Sequence, residues 1–441
     1  MCGLAGFCNF KGIDSNSERV CHAMASKLTH RGPDDAGTWV NHEHGIALGH
    51  RRLSIQDLSS CGHQPMESTS GRYVIAYNGE IYNFRQLQTE LSKIGFEFRG
   101  HSDTEVLLAA MEAWGLADAL TRFTGMFAFA LWDKKQRVLS LARDRIGEKP
   151  LYYGWHGDSL LFGSELKALR AHPHWQNNIN RNALALYMRH NYIPAPYSIY
   201  QNIYKLTPGT LLHIPHSTKP EYLPTPVPYW NMKDVAESGV RNPVDLTDEE
   251  AIDKLDSLLR ESIRNQMISD VPLGAFLSGG YDSSAVAALM QQQSDQKIKT
   301  FSIGFHEEAY NEADHAKRVA SHLGTEHTEL YVTPQQAMDV IPKLPSLYDE
   351  PFSDPSQIPT YLVSQMTRQH VTVSLSGDGG DELFAGYDRY FLADSLWKKI
   401  GRIPYPLRIA LASGIKGINP AVLSSSFLIL WRTGLTRRQK S

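Results

Sequence analysis

Short apolar runs alternate with turn residues along the first 204 residues of the chain. Runs of this length that are bounded by Gly, Asn and Asp are typical of strands. The four clearest are GIALGH, YVIAYNGEIYNF, FTGMFAFALWD and DSLLFGSEL. One helix is also indicated, because Ser102 and Glu105 have capping-box spacing before apolar residues at helical intervals. The pattern predicts a sheet-rich first half with a few helices.

Prolines then become frequent, with seven between residues 205 and 244. Such a stretch is typical of an extended connector that crosses a surface rather than of a packed element. We therefore predict a first domain over residues 1–210, a connector over 211–245 and a second domain over 246–441.

A different pattern begins at Thr247, which has capping-box spacing to Glu250 and precedes apolar residues at helical intervals. Apolar runs then alternate with helix-length segments, and the runs are LGAFLS, KTFSIGF, HTELYV and HVTVSLSG. Strands separated by helices of this length predict an α/β domain with a parallel sheet and helices on both faces.

Composition narrows the class of protein. The 441 residues carry a net charge of −3, with 42% apolar and 21% charged residues. This balance is typical of a globular protein with two or three domains, and it argues against nucleic-acid binding and against intrinsic disorder.

Location follows from what the sequence lacks. No apolar stretch approaches the roughly 18 residues of a membrane-spanning helix, and the N-terminus has no basic region followed by an apolar one. The four cysteines are not in CxxC spacing, which predicts neither a zinc site nor a disulfide framework; they are Cys2, Cys8, Cys21 and Cys61. We expect a cytoplasmic protein without a membrane or nucleic-acid partner.

The first candidate for chemistry is Cys2. Met1 is followed by two small residues, a context in which the initiator methionine is normally removed. Removal would give Cys2 both a thiol and a free α-amino group, and the amine could accept the thiol proton because its pKa is about 7.7–8.0. Cys2 is therefore predicted to be an N-terminal nucleophile.

Four polar segments accompany Cys2 in this half of the chain. They are HRGPDD (30–35), GHRRLSI (49–55), YNGEIYN (77–83) and HSDTE (101–105). Together with Cys2 they resemble the class II glutamine amidotransferase domain over about 200 residues. The resemblance implies an α+β N-terminal nucleophile fold with layers in the order αββα.

The resemblance also implies residue roles. Arg52 would clamp the glutamine α-carboxylate and Asp103 would pair with its α-ammonium group. Arg51 is the neighbouring alternative, and Arg52 is preferred because it directly precedes LSI. The same pocket would be lined by Ser54, Ile55 and Glu80.

Attack on the glutamine amide would need a site for the developing oxyanion. By the resemblance, the Asn78 side-chain amide and the Gly79 backbone N–H would form this oxyanion hole, and Cys2 would attack the amide carbon. Taken alone, Asn78-Gly79 could equally be a tight hairpin turn.

In the second half, the strongest motif is LSGGYDSS, from Leu277 to Ser284. Its glycines and hydroxyls lie where a strand ends and a helix begins, which favours phosphate binding. The GxxxxGK[ST] spacing of a Walker loop is absent. The motif resembles the pyrophosphate loop of ATP pyrophosphatases.

A second glycine-rich segment, SLSGDGGDELFAGY, follows the fourth predicted strand. With Asp349-Glu-Pro-Phe352, the two loops resemble the synthetase domain of glutamine-hydrolysing asparagine synthetases. The resemblance implies adenine contacts from Leu277 and Ile303. The implied phosphate contacts are Ser278, Gly279, Gly280, Asp282, Ser283, Ser376 and Gly377.

A magnesium ion would be held by Asp282 and Asp381, since hard cations prefer carboxylate oxygens. Asp378 stands where some family members carry Glu, and it would take part in forming the acyl-adenylate. The family also implies the overall reaction. Ammonia from glutamine would displace AMP from an aspartyl adenylate made with Mg-ATP, giving asparagine, AMP and pyrophosphate, in a possible homodimer.

Other interpretations remain open. One is the same architecture acting on another carboxylate, such as a uronic acid of a surface polysaccharide, and another is a β-lactam-forming relative. Family members usually continue with an Arg-x-Pro-x-Leu-Asp stretch and a later lysine near the ATP phosphates, and neither of these features is recognisable here. We therefore expect a C-terminally short chain, and the remaining alternative is a synthetase-deficient remnant that binds glutamine or nucleotide.

Overall fold

The structure is a computed structural model that describes residues 1–305 and 311–416. The chain forms two compact units, Met1–Ser376 and the part from Gly377 onward. None of the helices in the described ranges combines the length and the apolar character that a membrane crossing requires.

The first unit contains all the strands of the described ranges. They are β1 (Gly3–Cys8), β2 (Asp35–Asn41), β3 (Ile46–Arg52), β4 (Met66–Glu67), β5 (Tyr73–Ile81), β6 (Gly125–Asp133), β7 (Val138–Arg143), β8 (Tyr152–His156), β9 (Ser159–Gly163), β10 (Ile203–Lys205), β11 (Thr210–Pro215), β12 (Val227–Pro228), β13 (Leu273–Phe276), β14 (Lys299–Phe305), β15 (Glu326–Val332) and β16 (Val373–Leu375).

The helices of the first unit are α1 (Ser17–Ser26), α2 (Phe84–Lys93), α3 (Asp103–Trp114), α4 (Leu116–Arg122), α5 (Leu166–Leu169), α6 (Arg181–His190), α7 (Met232–Arg241), α8 (Asp248–Gln266), α9 (Tyr281–Gln292), α10 (Ala313–Leu323), α11 (Pro334–Met338), α12 (Leu344–Leu347) and α13 (Gln357–Thr367). The described part of the second unit contains α14 (Gly380–Phe384), α15 (Asp388–Ile400) and α16 (Tyr405–Lys416).

Two six-stranded sheets form the centre of the first half. One has the strand order β10-β8-β9-β1-β3-β2 and the other β12-β11-β7-β6-β5-β4. Because successive side chains of a strand face opposite sides, Leu4 packs between the two sheets while Ala5 and Phe7 pack towards α1 and α5. The outer face of the second sheet packs against α2, α3 and α4. The helix–sheet–sheet–helix layering confirms the fold class predicted for this half.

A four-stranded sheet forms the centre of the second half, in the order β15-β14-β13-β16. All of its pairings are parallel. Helices α8, α9 and α10 contribute to one apolar cluster on this sheet, and α13 contributes to another. The parallel sheet between helices confirms the predicted α/β class.

The strand order of this sheet reverses direction at β13. From β13 the chain proceeds outward to β14 and β15, and it then returns to place β16 on the other side of β13. Ligands of open α/β sheets bind at such a switch point, beyond the carboxyl ends of the strands. The LSGGYDSS segment follows β13, and Ser376 follows β16 directly.

The proline-rich segment differs from the expectation of an extended connector. Residues 210–215 form β11, which pairs with β7 from Leu211↔Ala142 to Pro215↔Val138. Leu211, Leu212 and Ile214 are buried, so their apolar burial outweighs the local proline signal. The rest of the segment contains β12 and α7, and the proposed domain limits remain a prediction.

The two predicted capping boxes have different outcomes. Thr247 and Glu250 form the complete reciprocal pair at the start of α8. At α3 only half forms: the Ser102 side chain accepts a hydrogen bond from Glu105 N. The Glu105 carboxylate instead accepts from Arg99 N and Gly100 N, at 2.9 Å each.

The core between the two antiparallel sheets can be tested at Leu48, which is fully buried there. Leu48→Ala should lower the free energy of unfolding by about 2–5 kcal/mol, because the cavity it leaves closes only in part. Met188→Ala, at a side chain that is 75% exposed, is the control and should change it little. Equal denaturation midpoints for the two variants would contradict this packing.

Candidate active site

The Cys2 thiol lies just before β1, against the chain that leaves β3. Its Sγ accepts a hydrogen bond from Leu53 N at 3.4 Å. Arg31 Nε donates to the Cys2 carbonyl oxygen at 2.9 Å, and the Met1 amine donates to Arg31 O at 3.2 Å. The nucleophile candidate is thus held from both sides through its backbone and its sulfur.

The surroundings of Cys2 act on its protonation. Burial raises the pKa of the Cys2 thiol, the Leu53 hydrogen bond and the positive terminal amine lower it, and the charges of Glu80 and Asp103 raise it. Burial also lowers the pKa of the Met1 amine to about 6. An amine in this position is therefore largely unprotonated at neutral pH, the form that can accept a proton.

Asn78 and Gly79 lie within β5 and do not form a hairpin turn. The Asn78 side chain is 1% exposed, and neither Nδ2 nor Oδ1 has a hydrogen-bond partner in the described part of the chain. A Cβ at Gly79 would approach Met126 O to 2.4 Å, so β6 leaves no room for a side chain there. A buried amide without a partner points to a ligand, since buried polar groups are otherwise almost always paired.

Two buried carboxyl groups lie beside this amide. Asp103 Oδ2 accepts from Tyr77 Oη at 2.7 Å and from Ile81 N at 2.8 Å. Burial raises the pKa of Asp103, and burial together with the Asp103 charge raises the pKa of Glu80 well above its ordinary range. Within the described residues neither group forms an ion pair, and Glu80 Oε2 has no hydrogen-bond partner. An ammonium group would stabilise both as carboxylates.

Arg52, at the end of β3, is 7% exposed, and its guanidinium binds backbone carbonyls. Nη1 donates to Ser59 O at 3.2 Å, and Nη2 donates to Gln56 O at 3.1 Å and to Asp57 O. The Arg52 charge also lowers the pKa of Glu80, which relates it to the same pocket.

The other residues of this predicted pocket have simpler surroundings. Arg51 Nη2 donates to Ser26 Oγ on α1 at 3.1 Å, on the opposite face of β3 from Arg52. Ser54 N donates to Asp34 Oδ2 at 2.8 Å. Ile55 O accepts a hydrogen bond from Asp270 N at 2.9 Å, a residue of the second half.

Sequence reasoning did not assign roles to His50 or Gln56. His50 Nε2 lies 2.8 Å from Tyr77 O, and burial lowers its pKa to about 4, so His50 is neutral and donates to that carbonyl. Gln56 Oε1 is buried without a partner in the described residues. His50 lies within the polar segment GHRRLSI, which could have indicated it as a site residue, whereas no local sequence signal indicates Gln56.

A chain of ion pairs leads from the nucleophile to the second half. Arg31, which binds the Cys2 carbonyl, lies 2.6 Å from Glu165 through Nη1. Lys167 Nζ lies 2.7 Å from Glu165 Oε2 and 3.5 Å from Asp349 Oδ1. The backbone N–H of Lys167 donates to Asp349 Oδ2 at 2.8 Å. The Asp349-Glu-Pro-Phe352 segment is thus joined to the nucleophile region.

The nucleotide candidates begin where β13 ends. Leu277 is 1% exposed, and its N–H donates to Phe301 O at 2.8 Å. Ser278 Oγ and Ser283 Oγ lie 2.9 Å apart and so join the two ends of the loop. Gly279 has φ +84°, and a Cβ there would lie 2.7 Å from Ala316 N, so only glycine fits this turn.

The loop leads directly into α9, with Gly280 as the N-cap. Free backbone N–H groups and the helix dipole at this end suit an anion. The Ser284 hydroxyl oxygen is buried without a partner in the described residues, which makes it a further candidate in the same turn. Ile303 lies on β14, two residues beyond Phe301, the register partner of Phe276.

The remaining predicted residues divide between the two units. Ser376 ends the first unit, whereas Gly377, Asp378 and Asp381 belong to the second. In the second unit, Gly386 N donates to Asp381 O at 2.9 Å, and a Cβ at Gly386 would touch the Asp381 carboxylate.

The donors present suit one particular kind of magnesium site. No cluster of three or more His, Cys, Asp or Glu side chains suited to a metal occurs in residues 1–305 and 311–416. Mg²⁺ is usually bound by one or two carboxylates together with substrate phosphates. Asp282, in the first turn of α9, is a donor of the right type for that arrangement.

A cavity of about 650 Å³ joins the two halves within the first unit. Met1, Arg31 and Leu53 line it on the side of the nucleophile. Phe276 and Ser374, from β13 and β16, line it on the side of the parallel sheet. One continuous space therefore extends from the nucleophile region to two strands of the parallel sheet.

Comparison with known proteins matches both halves. Residues 1–230 match the family described as glutamine amidotransferase domain, and residues 254–438 match the family described as asparagine synthase. The chain is 39% identical over 412 residues to a putative glutamine-hydrolysing asparagine synthetase 2 of Methanocaldococcus jannaschii, covering 88% of this chain and 76% of that one.

It is 37% identical over 414 residues to glutamine-hydrolysing asparagine synthetase 1 of Bacillus subtilis, covering 92% of this chain and 62% of that one. Among solved structures, the glutamine phosphoribosylpyrophosphate amidotransferase of B. subtilis matches 76% of this chain and 70% of its own. Its identity is 16% and its TM-score 0.38, which does not extend the assignment.

Glu165 should make a pH-dependent contribution to stability. Burial disfavours its charge, but hydrogen bonds and charges from His30, Arg31 and Lys167 outweigh burial and lower its pKa from 4.5 to about 2. A depressed carboxyl pKa stabilises the fold above the unfolded value and loses that effect as pH falls through the folded one.

The free energy of unfolding of wild type minus that of Glu165→Gln should therefore be larger at pH 6 than at pH 2.5. Glu97→Gln, at an exposed site, is the control and should show no such trend. Chemical denaturation at several pH values measures both differences. A difference for Glu165→Gln that does not change with pH would contradict the ion-pair chain.

Proposed function

Because the chain belongs to the family of glutamine-hydrolysing asparagine synthetases, we propose that it makes asparagine from aspartate, with glutamine as nitrogen donor and Mg-ATP as activating substrate. The most direct support is the cavity of about 650 Å³ that borders Met1 and Arg31 on one side and Phe276, the last residue of β13, on the other. Ammonia released at the first centre would cross this space on its way to the second.

The first half-reaction is assigned to Cys2. Its sulfur attacks the amide carbon of glutamine, the C–N bond breaks, and ammonia leaves with the proton taken from the thiol. Water then hydrolyses the thioester to glutamate. Removal of Met1 would place the accepting amine on Cys2 itself, in surroundings that lower the pKa of the present terminal amine to about 6.

Different residues of the pocket are proposed to bind the different polar groups of glutamine. The unpartnered Asn78 amide and the Gly79 N–H stabilise the oxyanion. Asp103 and Glu80 take the α-ammonium, whose positive charge would offset their mutual repulsion. Arg52 takes the α-carboxylate, and Ser54 and Ile55 line the pocket beside it.

The second half-reaction is assigned to the sheet edge at the switch point. The aspartate side-chain carboxylate attacks the α-phosphorus of ATP, pyrophosphate leaves, and ammonia then displaces AMP from the adenylate. Leu277 and Ile303 hold the adenine, and the loop from Ser278 to Ser283, with Ser376, holds the phosphates. The phosphate contact of Gly377, in the second unit, remains a prediction.

A magnesium ion bound with the nucleotide would neutralise phosphate charge, and Asp282 is the carboxylate proposed to hold it. The role of Asp381, in the second unit, remains a prediction. Asp378 is assigned to adenylate formation. A cytoplasmic location and homodimer formation remain predictions.

Purified protein should convert aspartate, glutamine and Mg-ATP into asparagine, AMP and pyrophosphate in equal amounts. Pyrophosphate release and amino-acid analysis measure this directly. Parallel reactions with a uronic acid in place of aspartate test the alternative acceptor. Pyrophosphate that depends on the uronic acid and not on aspartate would overturn the proposed product.

Cys2→Ala should abolish glutamine-dependent synthesis but preserve synthesis from added ammonium, because the second centre keeps its own substrates. Cys61→Ala, at an exposed cysteine, is the matched control and should keep both activities. Loss of both activities in Cys2→Ala, in a protein that still folds, would contradict two separate centres.

Asn78→Ala should slow glutamine hydrolysis by roughly 10²–10³-fold, because one oxyanion donor is lost. The loss should fall on kcat rather than on the KM for glutamine, since the interaction forms in the transition state. Steady-state kinetics of glutamate release measure both constants. An unchanged kcat would remove Asn78 from the oxyanion hole.

A further inference from the structure

One acidic side chain of the second half reaches the glutamine pocket. Asp270 lies between α8 and β13, and its Oδ2 accepts from Asp57 N at 2.7 Å. The same oxygen lies 2.9 Å from His101 Nε2, and Asp270 N donates to Ile55 O at 2.9 Å. Asp270 therefore holds residues 55–59, named here the pocket loop, by both backbone and side chain.

The pocket loop is also held from inside. Asp57 Oδ2 accepts from His101 N at 2.9 Å, and Asp57 Oδ1 accepts from Ser59 N at 3.1 Å. On its other side the loop offers three carbonyls to Arg52, from Gln56, Asp57 and Ser59. The pocket loop therefore links Arg52 to Asp270 through hydrogen bonds on both sides.

Binding of a carboxylate by Arg52 must disturb this arrangement. A guanidinium binds a carboxylate in bidentate fashion by donating two parallel hydrogen bonds, either from Nη1 and Nη2 or from Nε and Nη2. Both Nη2 hydrogens already serve Gln56 O and Asp57 O. A bidentate clamp on the glutamine α-carboxylate therefore takes one of these hydrogens away from the loop.

The other end of the connection leads to the nucleotide loop. Asp270 is three residues before β13, and the LSGGYDSS segment follows β13 directly. Thr372 N donates to Pro272 O at 2.9 Å, so this stretch also contacts the start of β16. The backbone that carries Asp270 therefore contacts both strands of the switch point.

We propose that Asp270 is a positioning residue that couples glutamine binding at Arg52 to nucleotide binding at the loop after β13, through the pocket loop. This rests on the proposed function for the identity of the two ligands. Because coupling between two binding equilibria is reciprocal, glutamine changes the affinity for ATP by the same factor as ATP changes the affinity for glutamine.

The test is the glutamine dissociation constant measured by calorimetry with and without saturating Mg-ATP, in the Cys2→Ala chain, which does not turn glutamine over. With Asp270 intact, Mg-ATP should change this constant by about fivefold or more. Asp270→Ala should bring the ratio to within about twofold of one. The ATP dissociation constant, measured with and without glutamine, should change by the same factors.

Two further variants separate coupling from general damage. Asp295→Ala, an exposed aspartate of the same half, should keep the full ratio. Asp270→Asn, which keeps an acceptor for Asp57 N, should retain part of it. His101→Ala added to Asp270→Ala should cause no further loss, because both act through one set of contacts.

The proposal is overturned if glutamine and ATP bind independently with Asp270 intact, or if Asp270→Ala keeps the full ratio. It is equally overturned if Asp295→Ala removes the ratio. The binding ratio does not depend on the product, so a chain that couples its ligands but forms no asparagine would contradict the proposed function alone.

Discussion

Burial of polar groups that have no partner among the described residues is the constraint on which the amidotransferase half depends. The Asn78 amide is 1% exposed within β5, and its neighbouring strand passes too close to Gly79 for any side chain. Leaving a buried donor and acceptor unpaired costs free energy. The surrounding double sheet supplies the stability that keeps this strand in place, and a bound substrate would remove the cost.

Charged and hydrogen-bonded side chains join the two halves within the first unit. Glu165, Lys167 and Asp349 form one connection, and Asp270 with Asp57 and His101 forms another. The first leads through Arg31 to the cavity, and the second holds the pocket loop. Hydrogen bonds to charged groups are directional, so these contacts restrict the relative position of the segments that they join.

Local pattern was sufficient to predict much of the fold. The strand that carries Asn78, the helix cap at Thr247 and the parallel class of the second sheet all follow from periodicity and turn residues. Partners distant in the chain could not be predicted. His101 and Asp270 are separated by 169 residues, and the carbonyl partners of Arg52 come from an irregular loop. A hydrogen bond that a backbone carbonyl accepts leaves no trace in the type of residue that supplies the carbonyl.

The strand within the proline-rich segment has a practical consequence for expressing the first half alone. β11 occupies an interior place between β7 and β12, and Tyr229 Oη donates to Arg143 O at 2.7 Å. An amidotransferase fragment that stopped at residue 210 would lack β11. Its β7 would then be an unpaired edge strand, which favours aggregation. Expression of that half by itself calls for a cut placed after Trp230.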